Sequence, residues 1–403
     1  MRNKIVSYLE NEEHPLLGPT LWGLRAWGLY PPINSNWYTI ISCSVHLAAI
    51  AFVVTQYIEL WLIRFNLNLA MRNLSITMLS SICVIKAGTF VLWREDWMKI
   101  INFVSSLEKT QLSETYAIKN NIISRYTKYS RCVTYIYWGL VTATVFTVVM
   151  APLAIFLSSP STNELMRNGT IPYPEIMSSW TPFDRTRGYG YWACVVEHML
   201  ICFYGGGIVA NYDSNAVVLM SFFAGQLKLL SANCTMLFGD ENEVVSYNEA
   251  LRRIRDCHYH HVQLVKYAKI LNSLLSPVLF LYVIICSLMI CASAIQLTTE
   301  GTTSMQRIWI AEYLMALIAQ LFLYCWHGNE VLFMSEKVDD GIYTSTWYLQ
   351  NNVLRRNVLL LRGQLRKRII FTAGPFTTLT IAAFVGILKG SYSYYTILNK
   401  RDD

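Results

Sequence analysis

Seven long apolar runs constrain the fold of this 403-residue chain more than any other feature. A helix needs roughly 20 apolar residues to cross the ~30 Å hydrocarbon core of a bilayer. Hydrocarbon offers the backbone no hydrogen-bond partners, so such segments must be helical or close into a barrel. Only 15% of the residues are charged, whereas soluble proteins average about a quarter. The predicted spans are 38–61, 71–93, 132–157, 190–220, 270–297, 306–328 and 376–398.

These runs predict an all-α membrane protein, with residues 1–403 forming a single seven-helix transmembrane domain. The fourth run is the weakest, because three consecutive glycines, Gly205 to Gly207, interrupt it. The connections 94–131 and 222–269 carry mixed charges at helical spacing, so we expect helices that continue beyond the membrane.

Lysine and arginine are divided unevenly between the connections. The N-terminal tail and the second, fourth and sixth connections hold 23 of them, and the opposite set holds eight. Positive residues accumulate in cytoplasmic loops, which predicts a cytoplasmic N-terminus and an extracellular C-terminus. The same loops account for the net charge of +7, so no nucleic-acid partner is expected. Asn168, in an Asn-Gly-Thr sequon, then lies outside the cell and is a candidate glycosylation site.

Sequence signatures of an enzyme are missing from the chain. There is no phosphate-binding loop, no nucleophile elbow and no His-Glu-x-x-His motif, so we predict no catalytic residues and no cofactor. Cys257, His258 and His261 could share one helix face and bind a metal. No second Cys or His pair completes a site, and we favour packing histidines over a metal.

Ionisable residues inside the spans need a partner or water, because an unpaired charge is costly in a membrane. The residues concerned include Lys86, Glu197, Glu312 and Lys389. We consider pairs between Glu197 and Lys86 and between Glu312 and Lys389. The alternative is that these groups border a water-filled cavity.

The outer halves of spans two, three, four and six offer aromatic, thioether and hydroxyl groups. Such groups suit an apolar pocket for a small hydrophobic ligand. The candidate ligand-binding residues are Met78, Ile82, Thr147, Met150, His198, Met199, Cys202, Trp309 and Tyr313.

The last span is too polar for a lipid-facing anchor. Residues 372–399 contain several threonines, serines and tyrosines, two helix glycines and Lys389. A helix of this kind is stable in a membrane only when its polar side faces protein or water. We therefore predict that it lines a conduction path.

The C-terminal third contains three distinctive segments: His327-Gly328-Asn329-Glu330, Thr372-Ala373-Gly374-Pro375-Phe376 and Lys389-Gly390-Ser391-Tyr392-Ser393-Tyr394-Tyr395. In these segments the chain resembles the insect odorant receptor family. Tyr395 stands where the family usually has Phe. The connection 221–269 is too short for the family's shared co-receptor, so the resemblance is to a ligand-tuning subunit.

The resemblance implies an odorant-gated, nonselective cation channel in the plasma membrane of a sensory neuron dendrite. It implies a heterotetramer with the co-receptor, a small volatile organic ligand and contact with membrane lipid. Residues 330–368 would form a cytoplasmic anchor, with Trp347, Tyr348, Arg355 and Arg356 as assembly candidates. The pore and gate candidates are Ser393, Tyr394, Ile397 and Lys400.

Two other classes stay open at this point. A G-protein-coupled receptor would need an extracellular N-terminus, and we find no Asp-Arg-Tyr or Asn-Pro-x-x-Tyr motif at the expected places. A small-molecule transporter would account for Glu312 and Lys389. Four copies of Lys400 around one pore mouth would repel cations, so we expect this chain to share its pore with a different subunit.

Overall fold

The computed structural model describes residues 14–30, 36–65, 67–113, 117–158, 173, 175–184, 188–239, 245–298 and 304–399, and these form a helical bundle. The two-stranded ribbon β1–β2 consists of Thr372–Ala373 and Thr377–Thr378. A short 3-10 helix covers Trp347–Leu349. The α-helices are α1 (Gly18–Ala26), α2 (Asn36–Leu62), α3 (Leu67–Leu92), α4 (Arg94–Leu112), α5 (Ala117–Ser158), α6 (Gly188–Thr235), α7 (Tyr247–Thr298), α8 (Ser304–Glu336), α9 (Asp340–Thr344), α10 (Asn352–Leu365) and α11 (Ile381–Asn399).

Each of the seven predicted spans coincides with one of these helices. Helices α5, α6 and α7 have 42, 48 and 52 residues, and at 1.5 Å per residue the longest extends about 78 Å. That length exceeds a bilayer, so these helices continue outside it, as the mixed-charge connections predicted.

Six of the described helices are long and apolar enough to cross a membrane. The last helix, α11, is not among them. Its C-terminal half contains Lys389, two serines and three tyrosines. The same polar composition is the reason that the sequence analysis predicts a conduction path along this segment.

The three glycines do not interrupt α6, contrary to expectation. The helix runs unbroken through them because neighbouring helices occupy the space that side chains would need. A Cβ on Gly206 would lie 2.4 Å from Val145 of α5, and one on Gly207 would lie 2.2 Å from Trp27. Close packing thus outweighs the low helix propensity of glycine, about 1 kcal/mol per residue.

The N-terminal segment contains a helix that hydropathy did not predict. Pro19 lies in the first turn of α1, where its missing N–H costs no hydrogen bond. Leu21 and Leu24 are buried against the bundle. Just before the helix, the Leu16 amide donates to Oε2 of Glu108 in α4 at 3.0 Å. The segment is therefore part of the fold.

Aromatic packing fixes α4 against the bundle. Trp97 of α4 stacks on Phe90 of α3 with ring centroids 4.3 Å apart. Tyr212 of α6 packs edge-on against both rings, and all three side chains are fully buried. Such aromatic pairs add roughly 0.5–1.5 kcal/mol each beyond burial of their area.

The last helix begins at Ile381, not at Phe376 as predicted. The preceding ribbon pairs Thr372 with Thr378 in antiparallel register. Its turn contains Gly374 at φ +67°, a left-handed conformation that favours glycine. The hydropathy of this segment is compatible with a helix and carries no information about such a turn.

The ribbon docks on α7, which satisfies its backbone. Asn272 accepts through Oδ1 from the Thr372 amide at 2.8 Å, and the Ser276 carbonyl accepts from the Gly374 amide at 3.1 Å. A Cβ on Gly374 would lie 2.5 Å from the Phe280 ring. The start of α11 is thereby attached to α7.

Residues 330–368 comprise the end of α8, then α9, the 3-10 helix and α10 with the residues that follow it. Asn351 caps α10 by accepting from the Leu354 amide at 2.9 Å, a contact worth about 1 kcal/mol. Leu354, Val358, Leu361 and Leu365 form the buried face of α10, at the spacing of one helix stripe.

Candidate functional site

A cavity of about 300 Å³ lies within the bundle. Helices α2, α3, α5, α6, α7 and α8 contribute its walls. The lining is predominantly apolar, with a few hydroxyl and amide groups, among them Ser75, Thr144, Ser293 and Gln296. Its size and lining suit one small, largely hydrophobic molecule.

The segment 175–184 covers part of this cavity. Met177 is one of its lining residues. The Trp180 amide donates to the Thr55 carbonyl of α2 at 3.2 Å, and His198 of α6 hydrogen-bonds Ser179 at 2.9 Å. Contacts with two helices therefore hold the cover in place.

Beside the cavity lies a buried ion pair between Lys86 of α3 and Asp213 of α6. Lys86 Nζ is 2.5 Å from Asp213 Oδ1, and the two side chains are 0% and 2% exposed. Lys86 also lies over the rings of Tyr212 and Tyr282, at 5.5 Å and 5.4 Å from their centroids. A charge at this depth is stable only with such compensation.

Three further side chains donate to Asp213. Tyr324 donates to Oδ1 at 2.5 Å, while Tyr137 and Gln320 donate to Oδ2 at 2.7 Å and 2.5 Å. Tyr137 and Gln320 also line the cavity. The carboxylate thus connects α3, α5, α6 and α8, and a molecule in the cavity contacts two of its partners.

The ion pairs considered from the sequence are not formed. Glu197 is exposed and lies 16 residues before Asp213 on the same helix, which is about 24 Å at 1.5 Å per residue. Glu312 accepts from the Thr147 hydroxyl at 3.1 Å, and Lys389 is exposed. Hydropathy located the charges but could not assign their partners.

Three of the nine predicted ligand-binding residues line the cavity: Cys202, Trp309 and Tyr313. The other six do not. Ile82 and His198 are buried elsewhere in the bundle, Met150 is exposed, and Met78, Thr147 and Met199 are half-buried. Tyr137, Tyr204 and Gln320, which do line it, were missed because helix rotation decides which side faces inward.

The pore candidates lie on exposed surface of α11. Tyr394 and Ile397 are each 64% exposed in the isolated chain. Ser393 is exposed and donates to the Lys389 carbonyl at 3.0 Å. Lys400, like the glycosylation candidate Asn168, lies outside the described residues.

The assembly candidates lie in the 3-10 helix before α10, with Trp347 and Tyr348, and near the beginning of α10, with Arg355 and Arg356. Trp347 packs against the hydrophobic core, while Tyr348, Arg355 and Arg356 are exposed. Arg355 donates to the Tyr348 carbonyl at 2.6 Å, which holds the turn against the helix. Leu349 and Leu360 expose 69% and 68% of their surface, so apolar side chains of the same region also face outward.

The histidine cluster of α7 belongs to the packing of the bundle. His261 is completely buried, and His260 hydrogen-bonds Gln226 of α6 at 3.0 Å. Across the described part of the chain, no group of three or more His, Cys, Asp or Glu side chains is arranged to hold a metal.

Outside the membrane spans, Glu108 of α4 has a perturbed ionisation. Burial raises the pKa of this carboxyl to about 7, against the opposing effects of the Leu16 amide and the Arg131 guanidinium. The residue is 1% exposed.

These features define a multi-pass, all-helical membrane protein with an internal, predominantly apolar cavity. The family profile described as 7tm Odorant receptor matches residues 66–392. The chain belongs to the insect odorant receptor family, which is a family of receptors and not of enzymes.

Two curated relatives illustrate the similarity. Odorant receptor 82a of Drosophila melanogaster is 24% identical over 388 residues, which is 93% of this chain and 96% of that one. Odorant receptor Or2 of Anopheles gambiae is 29% identical over 147 residues, and that match spans only 36% of this chain and 39% of the relative.

The fold is similar to that of the insect olfactory receptor OR5 from Machilis hrabei in complex with eugenol. That comparison gives a TM-score of 0.81 at 18% identity, covering 97% of this chain and all of the other. The same receptor in a second structure gives 0.79.

Proposed function

We propose that this chain is the ligand-tuning subunit of an odorant-gated, nonselective cation channel. A small, volatile, largely hydrophobic molecule binds in the 300 Å³ cavity and favours the open arrangement. The cavity is the observation that carries the proposal, because its size and apolar walls match that ligand class. The receptor OR5 from Machilis hrabei has been solved with eugenol, a small aromatic molecule.

Tyr137 and Gln320 connect the cavity to the rest of the bundle. Both line it and both donate to Asp213. A ligand that contacts them in one arrangement of the helices more than in another shifts the population between the two. A preference of about 1.4 kcal/mol changes the ratio tenfold.

The pore is proposed to form from α11 of several subunits. The exposed face of this helix combines Ser393 and Tyr394 with Ile397, and an apolar ring at Ile397 can close a pore by dewetting. Residues 330–368 provide the proposed cytoplasmic anchor, where the exposed Tyr348, Leu349 and Leu360 offer surface for neighbouring subunits.

Lys400 supports a mixed tetramer with a co-receptor subunit, because four lysines at one mouth would repel cations. The proposed location is the plasma membrane of a sensory neuron dendrite, with the N-terminus in the cytoplasm and Asn168 glycosylated outside.

The test is patch-clamp recording from cells that express the chain with and without a co-receptor subunit, against an odorant panel. Ala316 lines the cavity, so Ala316→Phe fills it and should raise the effective odorant concentration at least tenfold. Ala143→Phe, on the exposed face of α5, is the matched control and should leave it unchanged.

Four outcomes would contradict the proposal. Equal odorant sensitivity in Ala316→Phe and Ala143→Phe would show that the cavity is not the ligand site. Robust current without a co-receptor would show that a mixed tetramer is not required. Concentrative uptake without current, or labelling of an N-terminal tag on intact cells, would favour a transporter or a metabotropic receptor.

A further inference from the structure

A strip of polar side chains interrupts the predominantly apolar wall of the cavity. It consists of Ser293 and Gln296 of α7 with Trp309 and Tyr313 of α8, all of which line the cavity. Each can donate a hydrogen bond, through a hydroxyl, an amide or an indole N–H. We call these four residues the α7–α8 strip.

The pairing of α7 with α8 brings the strip to one end of the cavity. The Tyr313 hydroxyl contacts Met289 Sδ of α7 at 3.9 Å. From this contact Ser293 lies four residues further along α7, and Trp309 lies four residues back along α8. Both steps cover about 6 Å in the same direction, because the two helices run antiparallel. Ser293 and Trp309 are therefore at about the same level, and Gln296 is one turn beyond them.

Three donors of the strip make no hydrogen bond within the described part of the chain: the Ser293 hydroxyl, the Gln296 amide and the Trp309 indole. Ser293 is only 3% exposed, yet its oxygen is not among the polar atoms that are closed to a water-sized molecule. Because the residue lines the cavity, that oxygen opens into it. The fourth donor, Tyr313, has only the thioether of Met289, which is a weak acceptor.

Hydroxyl and amide groups elsewhere in the lining already have partners within the protein. Ser80 and Thr144 donate to backbone carbonyls of their own helices. Tyr137 and Gln320 donate to Asp213. The free donors of the cavity are therefore concentrated on the α7–α8 strip.

We propose that the cavity selects a neutral molecule with one hydrogen-bond-accepting oxygen, such as a ketone, an aldehyde or an ester, and that this oxygen lies against the α7–α8 strip. The inference rests on the proposed function and names the ligand class of the same site. A hydrocarbon would displace water from Ser293, Gln296 and Trp309 and leave three donors unpaired, whereas a carbonyl oxygen can accept two hydrogen bonds.

The remaining walls set the charge and size of this ligand. No Asp, Glu, Lys, Arg or His is among the described residues that line the cavity, which disfavours a carboxylate or an ammonium group. Leu79 and Val84 of α3 and Leu140 and Val148 of α5 offer apolar surface to the rest of the molecule. A cavity of ~150 Å³ in another protein accommodates benzene, so 300 Å³ holds one ring with a short chain.

The test is a ligand-observed NMR titration of purified protein in nanodiscs with three molecules of one carbon skeleton. Acetophenone carries a carbonyl, 1-phenylethanol a hydroxyl and ethylbenzene no oxygen, and benzoate serves as a charged probe. Signals from empty nanodiscs are subtracted, and Ala316→Phe, which fills the cavity, should abolish saturable binding. Acetophenone should bind about three- to tenfold more tightly than ethylbenzene, and benzoate should not bind.

Variants of α7 assign the preference to the strip. Ser293→Ala removes a hydroxyl that has no other partner, and Gln296→Met removes a second free donor at similar volume. Together they should lower the preference for acetophenone about twofold or more and leave ethylbenzene binding unchanged. Ser287→Ala, on the same helix, is the matched control: Ser287 donates to the Ile284 carbonyl at 2.8 Å and does not line the cavity, so the preference should persist.

Equal binding of acetophenone and ethylbenzene would overturn the ligand class, and so would a preference that survives Ser293→Ala with Gln296→Met. Tighter binding of 1-phenylethanol than of acetophenone would place the polar group at an acceptor and overturn the role of the strip. Saturable binding that persists in Ala316→Phe would place the ligand outside the cavity. If Ala316→Phe does not fold, the wild-type comparison and the α7 variants still decide the question.

The binding assay does not depend on channel activity, so the two proposals can fail separately. A preference for acetophenone that the α7 variants reduce, without odorant-evoked current, would support the ligand class and contradict the channel. Odorant-evoked current with equal binding of acetophenone and ethylbenzene would overturn the ligand class and leave the channel standing.

Discussion

Replacing Lys86 alone with methionine is expected to destabilise the protein more than replacing Lys86 and Asp213 together. Lys86→Met leaves the Asp213 carboxylate buried with its three donors, Tyr137, Gln320 and Tyr324. Asp213→Asn leaves the Lys86 ammonium with a neutral amide and the faces of two tyrosines, and with no negative charge among the described contacts. We therefore expect Asp213→Asn to be the more damaging single change.

The magnitude follows from the complete burial of both charges. Removing one partner of such a pair costs about 3–5 kcal/mol, whereas replacing both with neutral groups is often close to neutral. Lys86→Met should lie near the lower end of that range and Asp213→Asn near the upper end. In the double variant, Lys86→Met with Asp213→Asn, the introduced amide oxygen replaces one carboxylate oxygen and accepts from one of the two tyrosines, and the hydroxyl of the other tyrosine can accept from the amide NH2.

In the assay, the protein is heated in detergent and the remaining monodisperse peak is measured. The midpoint is the temperature at which half of that peak is lost. At ~2–4 °C per kcal/mol, the single variants should lower this temperature by on the order of 5–20 °C. The double variant should recover most of the loss. Lys389→Met, at an exposed lysine of α11, is the matched control and should change it by only a few degrees.

Additive stability losses from the two single variants would refute the coupling between Lys86 and Asp213. If the double variant loses as much stability as the two single variants combined, the two charges do not act as a unit. Wild-type stability in Asp213→Asn would likewise mean that Lys86 is solvated by other groups.

Two further predictions concern the ribbon and the α4 carboxyl. Gly374→Ala places a Cβ 2.5 Å from Phe280 at a positive φ, so it should lower the midpoint temperature of the heating assay. The control, Gly363→Ala, lies in open space on α10. It should leave the midpoint unchanged or raise it, because alanine favours a helix by ~1 kcal/mol over glycine. Glu108 has a folded pKa of about 7, above its reference of 4.5, so the folded state retains the proton and stability should fall, by on the order of 3 kcal/mol, as pH rises from about 4.5 to 7. In a Glu108→Gln variant, whose side chain is neutral throughout, stability should depend less on pH between about 4.5 and 7. An unchanged dependence of stability on pH would show that another group titrates.

Hydropathy was sufficient to predict the long apolar helices, because a bilayer permits little else, but it did not predict α1. Each predicted span overlaps a helix, and the polar last segment is a helix that the membrane criterion alone leaves out. The errors fall where a local contact decides the outcome. Packing with Trp27 and Val145 keeps α6 continuous through its glycines, and docking on α7 turns residues 372–378 into a ribbon.

The cavity was less predictable than the helices, because a rotation of less than half a turn moves a side chain from the lining to the outside. Cys202 lines the cavity and Met199, three residues earlier on α6, does not. The partner of Lys86 was difficult to predict for a similar reason. Asp213 was visible as a charge within an apolar run, but distance along a helix says nothing about contact between helices.

The Lys86–Asp213 pair also constrains the order in which the chain is made. Synthesis delivers α3 to the membrane well before α6, so Lys86 must be inserted before its carboxylate exists there. Each unpaired charge at the centre of an inserting helix costs about 2.5–3.5 kcal/mol, which the apolar residues around it must offset. Lys86 therefore stays without its carboxylate until α6 is inserted, and the ion pair then joins α3 to α6 before α8 brings Gln320 and Tyr324 to the same carboxylate.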